Sequence, residues 1–182
     1  MISERAGDEP VHRENQNRWT LKRVVKEIVI MLFLLLAVSN LISYLRQPAL
    51  SSSRLPPINE EMISGENLDL KALEGKPLLI HFWATWCPVC KAEADNIERL
   101  SNHYNVVTFA VRSGSDGEIA AFMQKRGLHY RVINDKDGDW AGLFSVKAYP
   151  TTFIFDSDGQ VSSSEVGYTS TLGLALRMWW AD

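Results

Sequence analysis

The two cysteines of this 182-residue chain lie close together, at positions 87 and 90, soon after an apolar run of strand length at 78–83. A pair so close closes a very small loop, and the stability that a disulfide adds grows with the loop it closes. Two side chains three positions apart also lie on one face of a helix. Cys87 and Cys90 are therefore better explained by thiol reactivity than by stabilisation, and they indicate a strand-to-helix junction.

Apolar periodicity alternates between strand and helix through residues 58–182. The pattern predicts strands at 78–83, 106–111, 130–133, 151–155 and 161–166, helices at 88–104, 115–127 and 170–180, a helical turn at 140–144 and a short hairpin at 60–70. Ser115 and Glu118 have the spacing of a capping box, and Gly127 ends the helix that they begin. The order β–α–β–α–β, then a β-hairpin and a helix, predicts an α/β domain with a central mixed sheet flanked by helices.

Residues 28–45 form an uncharged, strongly apolar stretch. As a helix this stretch would be about 27 Å long, close to the thickness of the hydrocarbon core of a bilayer. A buried helix of a soluble domain would show a polar face. A cleaved signal peptide would have a shorter apolar region and a small-residue cleavage site. We expect an N-terminal transmembrane anchor at 24–45, with a cleaved signal peptide as the alternative.

Basic residues are more numerous before this stretch than after it: Arg18, Lys22, Arg23 and Lys26 precede it, whereas Arg46 and Arg54 follow closely. Under the positive-inside rule, this bias keeps the N-terminus in the cytoplasm and exports the rest of the chain. In a bacterium, the chain is then a single-pass inner-membrane protein whose domain lies in the periplasm, where disulfide chemistry is expected. The lipid bilayer is thus one expected partner.

Composition divides the remainder of the chain. Residues 1–23 are polar and predict a cytoplasmic tail, and residues 46–57, rich in serine and proline, predict a linker. The folded domain is then 58–182, which is long enough to bury a core. The net charge of −3 is modest and no long run of like charges occurs, so no nucleic-acid partner is expected.

The local sequence distinguishes the two thiols. Pro88 suits the first position of a helix. Cys87 then lies just before the helix, where exposed N–H groups and the positive end of the helix dipole stabilise a thiolate. Cys90 lies one turn later, inside the helix. We therefore expect Cys87 to be the exposed nucleophile and Cys90 the more buried resolving thiol.

Three segments carry a family resemblance: EGKP at 74–77, FWATWCPVCK at 82–91 and YPTTF at 149–153. With them, residues 59–182 resemble the thioredoxin superfamily, and more narrowly its membrane-tethered TlpA/ResA-like members, which include proteins of cytochrome c maturation. The tether and the dipeptide between the cysteines are most similar to those of the copper-sensitivity-suppressor D proteins. The resemblance implies a thioredoxin fold and thiol–disulfide exchange.

The resemblance also implies roles for residues near the thiols. Cys87 matches the attacking cysteine and Cys90 the resolving one, and Glu93 matches a glutamate that ResA-like proteins place near their thiols. Where thioredoxin has a buried aspartate, this chain has His81. Two questions stay open: Glu93 is either a proton carrier or an ordinary surface acid, and His81 is either a relay near neutral pH or a satisfied core residue.

The same resemblance implies a substrate-binding surface. Pro150 matches the cis-proline that faces the disulfide and helps to bind an extended substrate segment, with Tyr149 before it and Thr151 after it. Trp86 matches the tryptophan beside the active site. Cis bonds are uncommon before proline in general, so a cis bond between Tyr149 and Pro150 is an expectation of the motif.

The expected function is exchange of a Cys87–Cys90 disulfide with disulfide-bearing or dithiol proteins of the periplasm. No metal and no organic cofactor are expected. The TlpA/ResA resemblance favours reduction, with electrons supplied by a membrane thiol conduit of the DsbD type. Pro88, directly after the nucleophile, resembles oxidising DsbA-like motifs, so a dithiol oxidase is an alternative. A copper-binding module is another, since two thiolates suit Cu(I).

Overall fold

The computed structural model describes residues 23–35 and 54–182. Contacts divide the chain after Leu45 into two units. In the first, residues 23–35 are helical (α1), and their apolar side chains are exposed. Among the described residues, no helix has both the length and the apolar character that a bilayer crossing requires. Residues 1–22 of the expected tail lie outside the described residues, as does the segment 36–53, which holds the rest of the expected anchor and most of the linker.

In the second unit, strands and helices alternate much as the periodicity predicted. In chain order they are β1 (Leu78–Trp83), α2 (Pro88–Ser101), β2 (Asn105–Val111), α3 (Asp116–Arg126), β3 (Arg131–Asp135), α4 (Asp139–Leu143), β4 (Thr151–Phe155), β5 (Val161–Val166) and α5 (Thr171–Trp180). A short 3-10 helix, Lys71–Leu73, precedes β1. The predicted elements are confirmed, with small shifts at some of their ends.

The end of α2 is one such shift, because the helix was predicted to continue to residue 104 and ends at Ser101. The N–H groups of His103 and Tyr104 both donate to the carbonyl oxygen of Leu100, at 3.0 Å each. These hydrogen bonds satisfy a carbonyl at the helix end. The chain then turns directly into β2 at Asn105.

The strands form one mixed sheet in the order β3-β2-β1-β4-β5. β1 pairs in parallel with β2, and β2 with β3, whereas the pairs β1–β4 and β4–β5 are antiparallel. β1 is central, and each of its residues is buried. Because β1 and β2 end at the edge where β4 begins, the residues after β1, after β2 and before β4 meet at that edge.

Alternate residues of β1 point into two separate cores. Leu79 and Trp83 belong to the core that α2, α3 and α5 cover, where they join Ile97, Ile119 and Leu174. Leu78, Ile80 and Phe82 point to the opposite face. The predicted arrangement of helices on both faces of the sheet is confirmed.

The core of the opposite face is aromatic. It is covered by α4 and by residues of the segment 55–73. The ring centroid of Phe144 lies 5.0 Å from that of Phe82 and 5.3 Å from that of Phe153. Phe109 and Phe155 also contact the Phe144 ring. These five rings are fully buried, so Phe144, which directly follows α4, fixes the end of this helix to the sheet.

The hairpin predicted at 60–70 is present in a reduced form. Its two arms are joined by a single bridge between Glu61 and Asn67. Gly65 makes the turn with a φ of 84°, which glycine adopts without a steric cost. The N–H of Ile63 donates to the Val132 carbonyl at 3.0 Å, so this segment covers the outer edge of β3.

The capping box predicted for α3 is confirmed. The hydroxyl of Ser115 accepts a hydrogen bond from the N–H of Glu118 at 3.4 Å, and the Glu118 carboxylate accepts one from the N–H of Ser115 at 2.8 Å. The hydrogen bonds from Ser115 hold the pKa of Glu118 below its usual value. Gly127 ends the helix in the left-handed conformation, as predicted.

Replacing Phe144 by alanine should lower the free energy of unfolding by about 3–5 kcal/mol, because it removes a buried ring and leaves a cavity. Urea denaturation of the oxidised protein, followed by tryptophan fluorescence, measures this change. Leu143→Ala is the matched control, since the neighbouring Leu143 side chain is 49% exposed and should cost little. Equal losses for the two variants would contradict the packing role of Phe144.

Candidate active site

The junction between β1 and α2 carries the cysteine pair. Cys87 is the N-cap of α2, with extended backbone angles (φ −84°, ψ 117°), and Pro88 begins the helix. The sulfur of Cys87 accepts a hydrogen bond from the N–H of Cys90 at 3.1 Å. A disulfide joins the two residues, whose Cα atoms are 5.3 Å apart. In the reduced protein, the same N–H and the helix dipole would stabilise a thiolate at Cys87.

The two cysteines are almost equally buried, with 4% exposure for Cys87 and 3% for Cys90. The prediction that Cys87 is exposed is therefore wrong for the oxidised protein. The reason is tertiary, because the carbonyl oxygen of Tyr149 lies 3.6 Å from the Cys87 sulfur. A disulfide sulfur has no proton to donate, so this is a packing contact. The exposed residues beside the pair are Trp86, Pro88 and Val89.

The peptide bond between Tyr149 and Pro150 is cis, as the motif predicted. Pro150 is buried, and its carbonyl oxygen accepts a hydrogen bond from the N–H of Gly167 at 2.8 Å. Thr151 is also buried, and its hydroxyl donates to the carbonyl of Ala148 at 2.8 Å. Of these three predicted residues, only Tyr149 therefore has a partly exposed side chain.

Trp86 lies beside the disulfide with a largely exposed ring. This ring meets the Tyr149 ring edge-on, with centroids 5.7 Å apart and planes at 87°. The indole N–H donates to the carbonyl of Arg112 at 3.1 Å, which fixes the orientation of the ring. Burial, and then the negative charge of Asp135, raise the pKa of Tyr149, so its hydroxyl stays protonated near neutral pH.

Two residues that support this site were not found from the sequence. Arg112, directly after β2, has a left-handed backbone (φ 47°) and holds the Trp86 indole through its carbonyl. Ser113 accepts a hydrogen bond from the N–H of Thr85 at 3.0 Å. Both tie the loop before Cys87 to the end of β2. The β–α–β order was a usable signal, because it brings the carboxyl ends of neighbouring strands to one edge.

Glu93 is fully buried, so the alternative that it is an ordinary surface acid is wrong. It lies on α2 one turn after Cys90 and on the same face. One carboxyl oxygen accepts the N–H of Thr169 at 2.9 Å, and the other has no hydrogen-bond partner among the described residues. Burial raises the pKa of Glu93 to about 7, although the Thr169 hydrogen bond opposes this shift. The carboxyl group therefore changes protonation state near neutral pH.

Asn96, which the sequence analysis missed, lies one turn beyond Glu93 on α2. Its amide donates to the carbonyl of Thr169 at 3.0 Å and to the hydroxyl of Tyr168 at 3.1 Å. Its oxygen accepts a hydrogen bond from the hydroxyl of Thr171 at 3.0 Å. Glu93 and Asn96 together bind both backbone polar groups of Thr169. The loop before α5 is thereby fixed to the helix that carries the cysteines.

His81 is a buried core residue with a hydrogen-bond partner, which was one of the two interpretations of the sequence. It is 2% exposed, and its Nδ1 lies 2.9 Å from the hydroxyl oxygen of Thr152 on β4. Burial lowers the pKa of His81 to about 3. The ring is therefore neutral at physiological pH, and the alternative that His81 relays protons by titrating near neutral pH is wrong.

Comparisons with known proteins find relatives of similar length. A thioredoxin-like protein of Haemophilus influenzae is 26% identical over 164 residues, which cover 89% of this chain and 97% of that protein. The thiol-disulfide oxidoreductase ResA of Oceanobacillus iheyensis is 28% identical over 157 residues, which cover 82% of this chain and 81% of that protein. A thioredoxin-family thiol:disulfide interchange protein of Chlorobium tepidum has a crystal structure that matches with a TM-score of 0.62, at 23% identity, over 71% of this chain and 95% of that one.

These likenesses agree with the site. The structural match shows that the mixed sheet and its helices form a thioredoxin fold. The ResA relative confirms the TlpA/ResA-like resemblance, and the sequence matches the Redoxin family over residues 50–174. The chain belongs to the Redoxin family, and it is a thioredoxin-like thiol–disulfide oxidoreductase whose redox-active pair is Cys87–Cys90.

Proposed function

We propose that this oxidoreductase is a membrane-tethered, periplasm-facing enzyme that reduces disulfides of exported proteins. One observation carries the exchange chemistry: the Cys87 sulfur caps α2 and lies 3.6 Å from the carbonyl of Tyr149. The helix N-terminus activates this sulfur as a thiolate, and the loop at Tyr149 gives a partner segment a surface directly beside it. The Cys87 sulfur therefore has both requirements of thiol–disulfide exchange: an environment that stabilises a thiolate and an adjacent surface for the partner segment.

The proposed reaction begins with the reduced pair. The Cys87 thiolate attacks one sulfur of a partner disulfide and forms a mixed disulfide, while the other partner sulfur leaves as a thiolate and takes a proton. Cys90 then loses its proton and attacks the Cys87 sulfur, which forms the Cys87–Cys90 disulfide and releases the second partner thiolate. Two electrons pass to the partner. A dithiol donor in the membrane, a conduit of the DsbD type, returns two electrons to the pair.

The proposed substrate-binding surface consists of Trp86, Tyr149, Pro150 and Thr151. The exposed indole of Trp86 and the partly exposed ring of Tyr149 form an apolar rim beside the disulfide. These two side chains contact the partner segment. The side chains of Pro150 and Thr151 are buried and support the loop from inside the domain. These two residues therefore act through the backbone.

Glu93 is proposed as the proton acceptor for Cys90. The two residues share a face of α2, and a pKa of about 7 allows the carboxyl group to take up and release a proton near neutral pH. The carboxyl oxygen that has no partner among the described residues is the one available to the proton. Since the ionised carboxylate is the base, the resolving step requires Glu93 to be deprotonated.

The proposed cellular location depends on the sequence that precedes the domain. We propose a cytoplasmic tail at 1–23, a membrane anchor at 24–45, a linker at 46–57 and an exported domain at 58–182. The charge bias around the uncharged stretch supports this orientation. An oxidising compartment also suits an enzyme whose substrates are disulfides.

The reducing direction is proposed on the TlpA/ResA-like character of the chain. Pro88, directly after the nucleophile, supports the alternative of a dithiol oxidase. The reduction potential of the Cys87–Cys90 couple, measured against glutathione, distinguishes the two directions, because about 30 mV corresponds to about 1.4 kcal/mol for a two-electron couple.

Replacing Cys90 by alanine should cause partner proteins to accumulate as covalent adducts, because Cys87 still attacks and no second thiol releases the mixed disulfide. Cys87→Ala should trap few adducts or none, since Cys90 lacks the N-cap position. Gels of bacterial membranes that contain each variant, run with and without dithiothreitol, measure the adducts. Mass spectrometry then identifies the trapped partners.

The control for this experiment is the double variant, which should trap nothing. Adducts should also decrease when Trp86→Ala is combined with Cys90→Ala, because the rim that holds the partner is lost while Cys87 stays. Equal trapping by the two single cysteine variants, or none by either, would contradict exchange through Cys87. That outcome would favour the copper-binding alternative, which a Cu(I) titration of the reduced protein then tests.

Glu93→Gln should slow the reduction of insulin disulfides about ten-fold or more at pH 8, because the resolving step loses its base. In the unchanged protein, the rate of the resolving step should rise with pH through about 7, where Glu93 ionises. The glutamine variant should lack this rise. Single-turnover release of a mixed disulfide, followed across this pH range, measures the step directly.

A stability measurement tests the raised pKa on which this role depends, independently of the exchange reaction. The folded protein retains the Glu93 proton up to about pH 7, whereas the ordinary pKa of 4.5 applies to the unfolded chain. Between these values the folded state binds more protons, so the contribution of Glu93 to the free energy of unfolding falls as pH rises. Glu93→Gln should remove this fall, and Asp95→Asn, at an exposed position of α2, should retain it. A glutamine variant with an unchanged pH profile would contradict the proposed role.

A C-terminal alkaline phosphatase fusion of the full chain should be enzymatically active in a bacterial host and remain with the membrane fraction. The reason is the positive-inside bias, which exports the residues that follow the uncharged stretch. Fractionation followed by a phosphatase assay measures both properties. Activity in the soluble periplasmic fraction would show a cleaved signal peptide, and an inactive fusion would reverse the proposed orientation.

A further inference from the structure

The last helix, α5, exposes a stripe of large apolar side chains. Leu172, Leu176, Trp179 and Trp180 are 70%, 55%, 68% and 82% exposed. Their spacing of four, three and one positions places them along one side of the helix, while the buried residues of α5 are Leu174 and Met178. Single exposed leucines are common, but a contiguous apolar stripe that ends in two tryptophans marks an interaction surface.

The sheet topology indicates that the two tryptophans lie toward the end of the domain that is remote from the disulfide. β5 ends at Val166, which pairs with Thr151 at the start of β4, and the N–H of Gly167 donates to Pro150 at 2.8 Å. α5 follows a few residues later and packs beside α2. It therefore begins near the catalytic edge and runs back over the sheet, so that its C-terminal turn lies toward the opposite edge.

The chain enters the folded domain at that same opposite edge. The backbone of Arg54 forms an isolated antiparallel β-bridge with that of Gln160, and the N–H of Leu55 donates to the carbonyl of Gly159 at 2.8 Å. These partners form the turn between β4 and β5, which is at the end of β4 away from Pro150. Only residues 46–53 separate Arg54 from the uncharged stretch, and a fully extended chain of this length reaches about 30 Å.

The chemistry of this edge favours a lipid interface over an ionic partner. Tryptophan is enriched where membrane meets water, because its ring is apolar and its N–H is polar. The charges near this edge have both signs, because Arg54, Glu74, Lys76, Asp156 and Asp158 line one cavity together with the turn. The basic residue of α5 near the tryptophans is Arg177, which is paired with Glu165 at 2.7 Å. The stripe therefore offers apolar contact rather than attraction to anionic headgroups.

We propose that the C-terminal half of this stripe, Leu176, Trp179 and Trp180, docks on the surface of the bilayer that anchors the chain. This inference depends on the membrane anchor proposed above, and it adds a defined orientation of the folded domain on the bilayer. With the C-terminal turn of α5 on the lipid, the disulfide and its apolar rim face away from the membrane, toward soluble partner proteins. Leu172, at the catalytic end of α5, stays off the bilayer.

Tryptophan quenching by brominated lipid tests this contact, since bromine quenches indoles that reach the acyl chains. The full chain, with Trp19→Phe in each protein compared, is reconstituted into liposomes of phosphatidylcholine with brominated or ordinary acyl chains. Bromine should quench the unchanged domain strongly, and the quenching should persist at high salt because no ionic attraction is involved. Trp179→Phe with Trp180→Phe should remove most of the quenching. Trp86→Phe, at an exposed tryptophan of the catalytic edge, is the matched control and should retain it.

Flotation of the same liposomes tests the anchor separately. Protein that floats with the lipid, and whose quenching does not depend on Trp179 and Trp180, overturns the docking and leaves the anchor intact. Protein that does not float overturns both. Dimers in neutral detergent that disappear with Leu176→Ser would assign the stripe to a second copy of the chain and would also overturn bilayer docking, whereas Leu172→Ser should leave the quenching unchanged.

Discussion

The hydrogen bond from the N–H of Cys90 to the sulfur of Cys87 is the interaction around which the site is arranged. It forms because a short loop joins the end of β1 to the start of α2, which places the sulfur at a helix N-terminus. β1 is central and buried on both faces, so this junction cannot shift without disturbing two close-packed cores. Arg112 and Tyr149 then approach from neighbouring strand ends, one to orient Trp86 and the other to cover Cys87.

A second constraint links the acid of the site to the loop before the last helix. Burying a carboxyl group raises its pKa because the charged form loses its hydration. Burial raises the pKa of Glu93 to about 7, and the hydrogen bond from the N–H of Thr169 opposes this shift. The same loop contacts Pro150 through Gly167. The surroundings of Glu93, the loop at Pro150 and the start of α5 therefore depend on one short segment, and a change in it should affect all three.

Local features of the site were predictable, and long-range ones were not. The capping box at Ser115 depends on side chains three residues apart, and the strand positions depend on local periodicity. The cis bond before Pro150 followed from a motif. The burial of Cys87 did not follow, because the atom that covers it belongs to Tyr149, 62 residues later. The surroundings of Glu93 were hidden for the same reason, since Thr169 is 76 residues away in the chain.

The sequence by itself determined the redox pair, its place before a helix, the order of strands and helices, and the expectation of a membrane anchor. Each of these depends on residues that are neighbours along the chain, so composition and spacing suffice to predict them. Only the tertiary structure decided that Cys87 is buried, that Glu93 titrates near neutral pH while His81 stays neutral, and that the two tryptophans of α5 are exposed while Leu174 and Met178 of the same helix are buried. The physical reason is that burial, pKa and the position of a surface are set by groups that only folding brings together.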